Sequence, residues 1–218
     1  DVVLTSDFAT GVILVNAPQS YFTFSNMTIS NPEGVERGFR CNVSNTGFEF
    51  RGIVFDVADD AIRMSNNTTA VIENLVVDNC TFMRGALNFR PISDNSSSNC
   101  SITNNRFENL QTNIDLRNIS GLEVSGNYIE FTTGFTYLEL SDMVAVDIQR
   151  NEVINNVLEP ATFFSNVSGT AENNYFEYAA SEEEFVYGLE LLDCADLTFN
   201  NNSVIGSEGL STFGCAAT

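Results

Sequence analysis

Apolar and polar residues alternate along this chain in a short phrase that returns about every two dozen positions. The clearest copies are CSITNNRF, starting at Cys100, and LEVSGNYI, starting at Leu122. Both read apolar, polar, apolar, polar, small or Asn, Asn, any residue, apolar. Aligned on that phrase, further copies start at Phe22, Phe48, Leu75, Val146, Gly169 and Leu197. The third positions are Phe24, Phe50, Val77, Ile102, Val124, Ile148, Ala171 and Phe199. The eighth are Ile29, Phe55, Phe82, Phe107, Ile129, Val153, Phe176 and Val204. A second alternating pair precedes each copy, from Ile13/Val15 and Phe39/Cys41 to Leu189/Leu191. Alternation of period two marks a strand with one face buried.

Starts separated by 22 to 28 residues are too far apart for a hairpin meander and match one turn of a solenoid. A unit of that size cannot bury its apolar face alone, so the repeats must stack around a shared interior. The pattern predicts an all-β, single-domain parallel β-helix of about eight turns over residues 1–218, with a tail at 205–218 folding over the last turn. Each inward Leu, Ile or Phe would contribute roughly 1.5–3 kcal/mol by leaving water.

The sixth position of the phrase is Met27, Ile53 and Cys80, then Asn105, Asn127, Asn151, Asn174 and Asn202. Asn tolerates the left-handed backbone of a sharp bend. Stacked amides can also donate and accept along the axis, so an internal Asn ladder is expected. On these residues the chain resembles the right-handed parallel β-helix superfamily of pectate lyases, polygalacturonases and related surface proteins. The resemblance covers nearly the whole chain and implies a right-handed coil, but it specifies a fold far more than an activity.

Composition narrows the partners. The formal charge is −20, and the nine basic residues are all Arg, with no Lys or His. Such a protein is repelled by nucleic acid and by anionic membrane surfaces. Its apolar runs are short, so no membrane-spanning helix is expected. The chain starts at Asp1 without an initiator Met, which suggests a processed secreted product or a slice of a longer protein, outside the cell or on its surface. No amphipathic helix caps the first turn, so a stacked neighbour or further domains of the same chain are expected there. Of five Cys, Cys41, Cys80 and Cys100 fall in inward columns as core thiols. Cys194 and Cys215 lie outside that pattern and are the candidate disulfide. Sequons at Asn26, Asn42, Asn66, Asn67, Asn95, Asn118 and Asn166 are what an Asn-rich solenoid generates by composition.

Candidate chemistry centres on two features. Asp59-Asp60 resembles the acid pair of polygalacturonases, where one carboxyl protonates the leaving group and another activates water. The third acid and the His and Lys motifs of that family are missing here. Outward Arg40 and Arg63 share one column, and Arg90 and Arg117 the next. Neighbouring guanidinium groups about 4.8 Å apart would grip a uronate carboxylate, and the resembling pectate lyases use Arg as the base. Arg51 beside Asp78 illustrates the plainer outcome, a cross-rung ion pair. Glu182, Glu183, Glu184, Asp193 and Asp196 are the residues that would hold Ca²⁺, although nothing in their spacing requires a metal, and no other cofactor is implied. Residues 179–187 suggest one helical turn capped by Ser181. Outward Tyr128 and Tyr175 offer aromatic faces for sugar rings. The leading expectation is a non-catalytic structural or adhesive β-helix, self-associating end to end into a filament. The other is a polysaccharide-binding module, or a lyase or hydrolase of uronate polysaccharides, using Arg63, Arg90, Arg117, Asp59 and Asp60.

Overall fold

The computed structural model describes residues 2–5, 12–31, 37–92, 97–132, 136–156, 162–178, 187–206 and 209–215. Strands that are three residues long or less cannot hold themselves together, and here they do not need to. Every pairing joins a strand to its counterpart one repeat away, and every pairing is parallel. Among the described residues one face stacks nine strands, from Val2–Thr5 and Met27–Asn31 through Arg106–Leu110 and Tyr128–Phe131 to Ser203–Ile205. A second face runs from Ile13–Val15 and Phe39–Cys41 through Ile62–Thr68 and Ile114–Arg117 to Gly209–Phe213. A third runs from Thr23–Ser25 and Glu49–Arg51 through Ser101–Thr103 to Leu197–Asn200. The eight phrases become eight rungs joined by seven rung-to-rung steps, so the coil makes about seven full turns where about eight were expected.

The register is the one the alternation predicts. Phe24 pairs with Phe50, Val77 with Ile102, Val124 with Ile148 and Ala171 with Phe199. In the eighth-position column the rings of Phe55, Phe82 and Phe107 lie face to face, with centroids 4.9 and 4.3 Å apart. Stacked one rung apart, like aromatics fit one column, and face-to-face offset pairs are favourable in themselves.

The ladder forms as expected. The Nδ2 of Asn105, Asn127, Asn151 and Asn174 donates to the Oδ1 of the next Asn at 3.0, 2.9, 3.0 and 2.9 Å. The second Nδ2 proton goes to a carbonyl of the preceding rung, as from Asn127 to Ile102 at 2.8 Å. Each Oδ1 also accepts a backbone N–H, as Asn151 does from Asn127 at 3.1 Å. Asn127, Asn151 and Asn174 thus spend their whole amide hydrogen-bonding capacity. The expected bend, however, belongs to the residue before. Asn26, Gly52, Asn79, Asn104, Gly126, Arg150, Asn173 and Asn201, at the fifth position, have φ between 50° and 65°. A ladder Asn must point inward, so the neighbour before it makes the corner.

The described part of the tail does not fold over the end. Gly209–Phe213 adds to Tyr187–Leu192 as one more parallel strand. The suggested helical turn at 179–187 lies outside the described residues but for Tyr187, which is in a strand.

Candidate functional site

The second face carries the charge. Its outward central column reads Arg40, Arg63, Asn88, Asp115, Glu139 in successive register partners. With Arg37, Arg90 and Arg117 beside it, five of the nine arginines gather on four adjacent rungs. Asp59 and Asp60 enter from the corner that leads into Ile62–Thr68. The next corner offers only Gly85 and Ala86, and the one after offers Gln111, Thr112 and Asn113. Because the middle corner carries no side chain beyond a methyl group, the outer two line a common pocket of about 300 Å³. Asp59, Asp60, Arg63 and Arg90 all line it, together with Asn88. Four of the five candidate residues are therefore brought together, while Arg117 sits behind Asp115.

Apart from Arg40, whose Nε has no partner, these arginines are already engaged. Arg63 Nη1 donates to Asp60 Oδ2 at 3.0 Å, and Arg37 reaches the same oxygen at 3.5 Å and Asp59 at 3.6 Å. Asp115 is fully buried. It accepts from Arg90 Nε at 2.7 Å and from Arg117 Nε at 2.7 Å, and Arg117 also donates to Glu139 at 2.9 Å. Burial pushes the Asp60 carboxyl above its usual range, helped by the Asp59 charge and opposed by Arg63 and Arg37. Burial raises Glu139 too, with Asp115 adding to it. Several atoms on this face stay unpaired although buried, among them Asn88 Oδ1, Arg63 Nε and Arg40 Nε.

Sequence reasoning missed Asp115, Asn88, Arg37, Glu139 and the Gln111-Thr112-Asn113 corner. The signal for Asp115 was present, since alternation puts it outward between Ile114 and Leu116 in a column headed by Arg. A search for columns of like charge passes over it.

The remaining candidates are dispersed. Arg51 makes its pair with Asp78 at 2.9 Å and a second with Glu49. The Arg106 guanidinium lies 4.4 Å over the Tyr128 ring and covers that face, and the Tyr175 hydroxyl donates to Glu177. Glu182, Glu183 and Glu184 lie outside the described residues. Asp193 and Asp196 line a wide groove of about 850 Å³ with Asp142, Asn118 and Asn166. Among the described residues no three acids, thiols or imidazoles are grouped to hold a metal ion.

The Cys194–Cys215 disulfide is not formed, and both are free thiols. They do meet on neighbouring rungs, where the Cys194 N–H donates to Cys215 Sγ at 3.2 Å. Cys194 Sγ turns inward to the Phe164 and Leu192 carbonyls, each at 3.3 Å, so it belongs to the inward pattern after all. Among the expected core thiols, burial pushes Cys80 up to about 11 and Cys100 up to about 12.

The model of the family described as the right handed beta helix region matches residues 10–217. The chain belongs to this right-handed β-helix family. A search of curated proteins finds no match. Among solved structures, the crystal structure of PfbA, a surface adhesin of Streptococcus pneumoniae, is similar at 12% identity and a TM-score of 0.46, covering 92% of this chain and 72% of that one. A likeness of that size carries no inference about what this β-helix does. No helix among the described residues is long and apolar enough to cross a membrane.

Proposed function

We propose that the protein is a non-catalytic β-helix of the cell surface or the extracellular space, with a structural or adhesive task. The observation that supports this is the pairing at the candidate site. Arg63 and Arg90, which would grip a uronate, each face a carboxylate of their own chain, and Asp60 is held between Arg37 and Arg63. A lyase base needs a free side chain within reach of the proton it removes. A hydrolase needs one carboxyl free to donate and another free to activate water. Here the same groups neutralise one another. Exposed apolar side chains at both ends of the described coil, among them Tyr21 and Phe22 at one and Leu210 and Phe213 at the other, favour end-to-end association with further copies or further chain.

Electron microscopy of the purified protein, run beside an assay for unsaturated uronate products, tests this reading. Rods or filaments without product are the expected outcome. Product that disappears in Arg63→Ala or Arg90→Ala would overturn it.

A further inference from the structure

We propose that the pocket between the Asp59-Asp60 and Gln111-Asn113 corners binds one neutral, hydroxyl-rich group, a polyol or an uncharged sugar unit, and not a uronate. Charge balance decides the class. An anion would need a free guanidinium, yet Arg63 is bonded to Asp60 and Arg90 to Asp115. A cation would need a free carboxylate, yet Asp60 is held by two arginines and Asp59 by one. Bringing either ion in would break a pair and leave a partly buried charge alone, which is costly.

Neutral hydroxyls meet no such cost, because each can donate and accept at once. The walls are suited to that. Thr112 Oγ1 accepts from the Ala86 N–H at 2.9 Å, leaving its own proton to give. Asn113 Oδ1 accepts from the Tyr137 N–H at 3.0 Å, leaving its Nδ2 group. Gln111 is exposed at the rim. Opposite them stand Asn88 and the Asp59 carboxylate as acceptors. Asn88 is 9% exposed, and its Oδ1 has no partner. A buried acceptor left so costs about 1–3 kcal/mol until a donor arrives, and a ligand hydroxyl is such a donor. The volume, about 300 Å³, lies at the small end of ligand sites and suits one ring.

Matched trios that differ only in charge test the proposal: glucose, glucuronate and glucosamine, with the galactose and mannose series beside them. Binding to the full chain would be followed by NMR shift perturbation. At least one neutral sugar should bind at millimolar strength, and its acid and amine should bind at least about tenfold more weakly. Gln111→Ala and Asn113→Asp should weaken it several-fold while the unfolding midpoint stays put. Three results overturn the proposal: a charged member binding as tightly as its neutral parent, no neutral sugar binding up to about 50 mM, or binding untouched by both variants. The outcome is independent of the product assay, so a failed pocket leaves the structural reading standing.

Discussion

Asn127 and Arg150 show how differently two residues can serve one corner. Asn127 takes part in five hydrogen bonds inside the coil, four through its amide and one through its own backbone N–H. Asn127→Ala leaves several of their partners unpaired and should cost roughly 1–3 kcal/mol or more in urea unfolding. Arg150 sits at the bend with φ 52°, where an ordinary side chain is strained by roughly 1–2 kcal/mol. Asn fills the same position on other rungs, so Arg150→Asn should raise stability by up to about 1 kcal/mol. The ladder was legible because inward Asn repeats are rare enough to notice. The bend was misplaced by one residue because Gly52, Gly126 and Arg150 interrupt the Asn there, which hides the column. Ser125 faces outward, yet is only 6% exposed, being flanked by Thr103 and Gln149 on adjacent rungs. Its hydroxyl donates to Glu123 at 2.8 Å, and Ser125→Ala should cost less than Asn127→Ala.

At the scale of strands, what holds one rung on the next differs between inside and outside. Inside, Phe107 stacks on Phe82, and Phe107→Ala should cost roughly 3–5 kcal/mol by opening a cavity. Outside, charge pairs cross the rungs. Asp115→Asn would leave Arg90 and Arg117 short of their counter-charge and should destabilise by roughly 3–5 kcal/mol, read as a shift in the denaturant midpoint. Asp78 gives the pH signature. Burial raises its carboxyl, but hydrogen bonds from Asn104 and Thr103 and the charge of Arg51 more than offset this and hold it low. Its stabilising effect should therefore be full above the ordinary carboxylate range and fade as pH falls through its lowered value. Asp60, raised instead, should act with the opposite sign, favouring the fold while protonated and losing that as pH rises through the raised value. Unfolding midpoints from acid to neutral pH for Asp78→Asn against the parent chain check this: a difference that persists undiminished in acid contradicts it. Strand order and register could be read from the sequence because each depends on spacing along the chain. The paired charges could not, since Asp115 and Arg90 lie 25 residues apart and meet only once the rungs are stacked.

For the molecule as a whole, a single rule of three residues accounts for much of the surface. Asn26, Asn118 and Asn166 bend the chain with positive φ; Met27, Ile119 and Val167 then turn in; Thr28, Ser120 and Ser168 turn out. Any corner built so reads N-x-S/T, which is why sequons accumulate without needing a glycan. The same stacking sets the ladder amides in one sense, with Asn105, Asn127, Asn151 and Asn174 each donating toward the higher-numbered rung. Aligned amide dipoles add, so the column has a head and a foot. At the foot the Cys80 N–H closes on Asn105 Oδ1 at 2.9 Å. At the head, among the described residues, Asn202 gives its amide only backward, to Ala171 at 2.8 Å. The second proton of that amide is therefore open to an oxygen set one rung further on, so the column begins on an acceptor already filled and finishes on a donor.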